Sequence, residues 1–110
     1  MAGFKSDVNP GVGTTKTTVF TAPTSTSVTL ISLSLANVYS ETVEVSAYLF
    51  KNATSTEGSM IKNSMIPPGE SLLAAGGNQK IVLEENDEIR VESDQTDSVD
   101  VILSYLESEV

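Results

Sequence analysis

The stretch Glu41-Thr-Val-Glu-Val-Ser-Ala-Tyr-Leu-Phe-Lys51 limits the fold more than any other. Val43, Val45, Ala47 and Leu49 fall on one side of an extended chain. Thr42, Glu44, Ser46, Tyr48 and Phe50 fall on the other. A period of two is the mark of a half-buried β-strand. Similar short runs recur along the chain: 14–22, 27–37, 59–65, 70–75, 79–85, 88–93 and 98–107. Each is rich in β-branched or aliphatic residues, and clusters of Ser, Thr, Asn, Asp, Gly or Pro separate them. No run keeps a helical period over three turns.

About eight strands at this spacing, in a chain of 110 residues, predict a single all-β domain. The expected architecture is a two-sheet, jelly-roll-like β-sandwich of antiparallel strands. Two irregularities stand out. In 27–37, Ile31, Leu33 and Leu35 share a parity that Val28 and Leu30 break, which points to a bulge or to an entry buried on both sides. Residues 1–13 are polar and turn-rich, with Pro10, Gly11 and Gly13 close together. They read as an extended N-terminal arm preceding a domain over 14–110, removable without loss of the fold.

Composition removes several chemistries. The chain has no His and no Cys, so Ser-His-Asp catalysis, disulfides and thiolate or imidazole metal sites are excluded. A net charge of −9, with Lys5, Lys16, Lys51, Lys62, Lys80 and Arg90 scattered, argues against nucleic acid and anionic membranes as partners. No apolar run approaches the roughly 18 residues of a membrane helix, and the first residues lack the apolar core of a signal peptide.

Three groups of residues invite a functional reading. In Ala74-Ala-Gly-Gly-Asn-Gln-Lys80 the backbone N–H groups of Gly76 and Gly77 could cradle an anion. However, Ile81 follows the lysine where a phosphate-binding loop needs Ser or Thr, and a strand follows instead of a helix. A turn connecting two strands is the favoured reading. Glu84, Glu85, Asp87 and Glu88 could bind calcium, but adjacent strand residues point to opposite faces, and a charged hairpin tip also guards against aggregation. Tyr39, Tyr48, Phe50 and Tyr105 could stack on sugars. Without tryptophan, Tyr48 and Phe50 read better as a subunit contact. Ser and Thr make up roughly a quarter of the chain and suit wet strand faces. Neither a catalytic constellation nor a cofactor or metal motif emerges.

The order Thr-Thr-Val-Phe-Thr-Ala-Pro (17–23), Ile-Ser-Leu-Ser-Leu-Ala-Asn (31–37), Ile-Pro-Pro-Gly (66–69), Lys-Ile-Val-Leu (80–83), Asp-Glu-Ile-Arg-Val (87–91) and Val-Asp-Val-Ile-Leu-Ser-Tyr-Leu-Glu (99–107) resembles small β-sandwich virion proteins of tailed bacteriophages. The resemblance spans about residues 17–107. It departs at Glu84–Asp87, where a glycine often supplies the turn. It implies a non-enzymatic role as a capsid decoration or cement protein on the major capsid protein lattice. Tail, neck or fibre component is the alternative within the virion, and a carbohydrate- or calcium-binding sandwich is the alternative outside it. It also implies work as an oligomer, often a trimer, in virions assembled in the host cytoplasm. The arm and an apolar strand face would make the contact, through Phe4, Val8, Tyr48, Phe50 and Val82.

Overall fold

The computed structural model describes residues 3–76 and 80–109, which form nine strands and no helix. They are β1 (Gly3–Val12), β2 (Thr17–Thr21), β3 (Thr26–Asn37), β4 (Val43–Lys51), β5 (Thr56–Ile66), β6 (Ser71–Ala75), β7 (Ile81–Leu83), β8 (Glu88–Ser93) and β9 (Val99–Glu109). One sheet has the order β1-β9-β3-β6, with β7 also paired to β3. The second has the order β2-β8-β4-β5. All pairings are antiparallel.

This order is what a long hairpin gives when it rolls up. β4 pairs with β5 at the tip, β3 with β6 and β7, β2 with β8, and β1 with β9. That is the jelly-roll arrangement expected from the strand rhythm. Nine segments occupy eight strand positions because β6 and β7 lie in line along the same edge of β3. β6 pairs with Leu33–Ala36 and β7 with Val28–Leu30. β6 and β7 therefore run in the same direction along β3, and the connecting turn expected between them falls on a segment that includes residues outside the described ones. Gly76, with φ of +154°, begins that segment. Gly77, Asn78 and Gln79 lie outside the described residues, and so does the anion cradle that would have used Gly77.

The break between β6 and β7 sits opposite the irregularity in β3. Leu30 pairs with Tyr105 and Ser32 with Ser104, which leaves Ile31 as an extra residue. The bulge lets Val28 and Leu30 on one side of it, and Leu33 and Leu35 on the other, all face inward and be fully buried. Ile31 consequently leaves the core parity it shares with Leu33 in the sequence and is only half-buried.

Between the sheets lies one apolar core, with Val43, Val45, Ala47, Ile89, Val91, Val99, Val101 and Leu103 from both sheets among its members. Phe20 and Tyr105 meet in it at 4.6 Å between ring centroids. Burial pushes the Tyr105 hydroxyl above its ordinary pKa. Two turns show why the sequence bends where it does. Glu70 N–H donates to Pro67 C=O at 3.2 Å, with Gly69 at φ +78°, the type II geometry that Pro-Gly specifies. Asp87 N–H donates to Glu84 C=O at 3.1 Å, and Asn86 adopts φ +65° in place of a glycine.

Residues 3–12 are not a free arm. They form the edge strand β1, paired with β9 from Gly3 opposite Glu107 to Val12 opposite Val99. The turn residues that suggested an arm instead make a local irregularity between Asn9 and Val12. Gly11 there takes φ +67°, and its N–H donates to Asp100 Oδ1 at 2.9 Å.

Candidate assembly surface

The register of the first sheet decides what its outer face carries. Phe4 lies opposite Leu106, Leu106 opposite Thr29, and Thr29 opposite Val82. Directly opposed residues in an antiparallel sheet share a face, so these four form one row across it. A second row runs Val8, Ile102, Ser34 and Leu73. Between them lies a row of small polar residues, Ser6, Ser104 and Ser32. Phe4, Val8, Leu73, Val82 and Ile102 are 48–78% exposed. Among the described strand residues of this face, Asp100 alone carries a charge, and it already accepts the Gly11 N–H.

β1 makes the point most sharply. Its apolar side chains Phe4 and Val8 face outward, while Lys5, Asp7 and Asn9 share the parity of Tyr105, Leu103 and Val101, which face the core. Inward charges guard an edge strand against stray pairing, but the outward Phe4 and Val8 reverse the usual alternation of a sheet whose outer face meets water. Two of these inward polar groups find partners at the sandwich rim: Asn9 Nδ2 donates to Val19 C=O at 2.9 Å, and Lys5 pairs with Glu107 at 2.7 Å. Ser6 and Ser104 of the serine row, with Phe4, Lys5, Ile31 and Tyr105 around them, line a shallow depression of about 300 Å³.

The outer face of the second sheet is built oppositely. Tyr48 points outward as its parity requires, yet only 4% of it is exposed. Lys16 Nζ lies 4.0 Å above its ring and Lys62 Nζ 5.2 Å away. The Tyr48 hydroxyl donates to Glu92 and accepts from Lys62 at 2.9 Å. Phe50 is half-buried under the Arg90 guanidinium, 4.0 Å from the ring centroid. Glu57 then binds Lys16 and Arg90, and Glu88 binds Arg90. The Lys16 partner, helped by Arg90, holds the Glu57 carboxyl below its ordinary pKa. Tyr48 is thus roofed by the protein's own cations and buried, where the sequence reading expected a partly exposed ring. Parity was legible there, but the reach of long side chains folded over the ring was not.

Of the five residues singled out, Phe4, Val8 and Val82 lie together on the first sheet, and Tyr48 and Phe50 lie on the other. Leu73 and Ile102 complete the apolar face and were missed. The available signal was that Ile102 and Leu106 are apolar at the parity opposite to Val101, Leu103 and Tyr105.

The acidic turn is structural. The Asp87 side chain is buried and its oxygens accept from Lys51 Nζ, Asn52 N–H at 3.0 Å and Glu84 N–H at 2.9 Å. Burial alone would push its carboxyl up, but Lys51 and the two backbone donors outweigh burial and hold it below the usual value. No group of three or more acidic side chains among the described residues is arranged to hold a metal ion. A cleft of about 400 Å³ opens between the sheets, lined by Leu49, Met60, Ala74 and Ile81 with Lys51, Thr56, Gly58 and Ser59 around them, and no aromatic ring borders it.

Comparison with known proteins places the fold alone. The chain matches no protein-family model, and no curated protein matches its sequence. A solved structure of Bacillus endospore appendages, described as a novel family of disulfide-linked pili, is similar in fold. Its TM-score is 0.56 at 8% identity, over 99% of this chain and 88% of that one.

Proposed function

We propose that this protein is a non-enzymatic structural subunit of a bacteriophage virion, a capsid decoration or cement protein on the major capsid protein lattice. One observation carries the structural role. The outer face of the β1-β9-β3-β6/β7 sheet presents five exposed large apolar side chains with almost no charge, and its edge strand turns its apolar side outward. A face of this kind marks a surface that is covered in the working assembly. The virion context is supported by the sequence resemblance over residues 17–107. Binding energy summed over many copies, each with a modest contact, would stiffen the lattice.

A tail, neck or fibre component is the second reading. It draws support from the fold shared with appendages described as pili. Their disulfide linkage has no counterpart here, because the chain has no cysteine.

Copy number on purified particles separates the readings. A number matching the capsid lattice supports cement, and a few copies per particle support tail or neck. A protein absent from particles that melts higher with calcium or a glycan overturns both and favours a ligand-binding sandwich.

A further inference from the structure

The outer face of the β1-β9-β3-β6/β7 sheet must be covered by something, and its chemistry narrows the choice. A charged partner finds little to pair with there: Asp100 is the sole ionisable residue among the described strand residues of the face and already accepts the Gly11 N–H, and Lys5 at the margin of the depression is paired with Glu107. The matching surface must be as poor in charge as this one and similarly corrugated. The chain itself supplies such a surface. Two apolar rows flank a serine row, and Phe4, the most exposed of the described large apolar residues at 78%, stands at the edge of the depression that Ser6 and Ser104 line with Lys5, Ile31 and Tyr105.

We propose that this face is the interface of a twofold homodimer in which Phe4 of each copy enters the depression floored by Ser6 and Ser104 of the other. A twofold operation makes every contact reciprocal. The ridge that protrudes on one copy therefore meets the valley that lies beside the same ridge on the second. Two sheets packed face to face sit about 10 Å apart with interdigitated side chains, a spacing that lets a ridge enter a valley. An aromatic anchor in a desolvated pocket is the usual energetic centre of such contacts.

Size fits a dimer of modest strength. Four strands about 4.8 Å apart, over about nine residues of about 3.3 Å each, cover roughly 500–600 Å² per copy. A standard stable interface takes about 800 Å² per partner. The dimer is thus reversible in solution and becomes persistent where other contacts hold the copies in place. The charge distribution agrees. The net charge of −9 keeps copies apart in general, and this nearly uncharged face is where two can approach.

This inference rests on the assembly reading of the same face, and the experiment is chosen to separate the two. Sedimentation of the full chain across the micromolar range should show a monomer–dimer equilibrium. Phe4→Asp, at an exposed position, should leave the β circular dichroism unchanged and raise the dimer dissociation constant at least about tenfold. Because the chain has no cysteine, a single introduced one reports only itself. Ser6→Cys should be bridged to a covalent dimer by a short bis-maleimide, and Met65→Cys, exposed on the opposite sheet, should not. A chain that stays monomeric into the high micromolar range overturns the proposal. So does a Phe4→Asp variant that dimerises like the parent, or equal bridging of the two cysteines. If the chain is monomeric yet needs Phe4 to bind particles, the dimer fails and the virion role stands. If it dimerises through Phe4 but is absent from particles, the dimer stands and the virion role fails.

Discussion

Asp87 shows how a residue that looks like a binding carboxylate becomes a structural one. It sits in the turn between β7 and β8 and ties that turn to Lys51 and Asn52 at the end of β4. Its folded-state pKa is depressed, so the unfolded chain takes up the proton more readily. Its contribution is complete above the unfolded value of about 3.9 and is lost as pH falls through the lower folded value. Asp87→Asn should therefore lower the melting temperature at pH 7, by the equivalent of about 1.5–3 kcal/mol for charged hydrogen bonds lost from a buried site. The variant should also show a flatter loss of stability below about pH 4 than the parent. Thermal melts of both proteins from acid to neutral pH check this, and parallel acid limbs would contradict it. Lys51 carries the opposite sign. Its hydrogen bonds to Asp87 and then Glu84 raise its pKa, so its contribution is present at neutral pH and is lost only in strong alkali.

Strand existence was legible in the sequence because short runs of β-branched and aliphatic residues lie between turn clusters, and because period two survives cleanly in β8 and along most of β9. The weak run 59–65 became the eleven-residue β5 (Thr56–Ile66) because β4 gave it a partner along its whole length. The status of residues 1–12 was not legible. A strand whose inward side chains are Lys5, Asp7 and Asn9 has the alternation of a core strand with its sign reversed, and no single sequence tells such a strand from a polar tail.

Two predictions follow at this level. Removing residues 1–8 deletes the outward apolar pair and no core side chain, so it should preserve the β signal and abolish self-association. Removing 1–13 also deletes Val12, which is buried, and the C=O groups of Val12 and Gly13 that accept from Ser98 and Ser93 N–H. Burial of a valine is worth about 1.5–3 kcal/mol, so this longer truncation should melt well below the shorter one, and equal melting temperatures would show that Val12 carries no weight. The bulge gives the other test. Deleting Ile31 removes the extra residue that lets both Val28 with Leu30 and Leu33 with Leu35 face inward. A one-residue slip sends one of those pairs to solvent. The deletion should leave little soluble folded protein, whereas Ile31→Ser should fold normally, because the bulge needs the position and not its side chain. Soluble yield and circular dichroism distinguish the two.

For the molecule as a whole, the two sheets divide the labour. One outer face is roofed by its own ion pairs around Tyr48 and Phe50. The other is apolar, with Asp100 the one charge among its described strand residues, on a body that carries −9 overall. This division sets the direction in which salt should act. An interface held by ion pairs weakens as salt screens them, because the Debye length falls from about 30 Å at 0.01 M to about 10 Å at 0.1 M. Here the screened interaction between copies is repulsion between like-charged bodies, while the contact itself is apolar. Raising ionic strength from about 0.01 M to about 0.1 M should therefore tighten self-association, and further salt should add little once the Debye length is shorter than the distance between the charged rims. Phe4→Asp places a new carboxylate in each copy's interface, so its residual association should respond to salt more steeply than the parent's. Sedimentation equilibrium over a salt series measures both slopes. Association that weakens with salt would mean that charged groups hold the copies together, which would move the interface away from the β1-β9-β3-β6/β7 face.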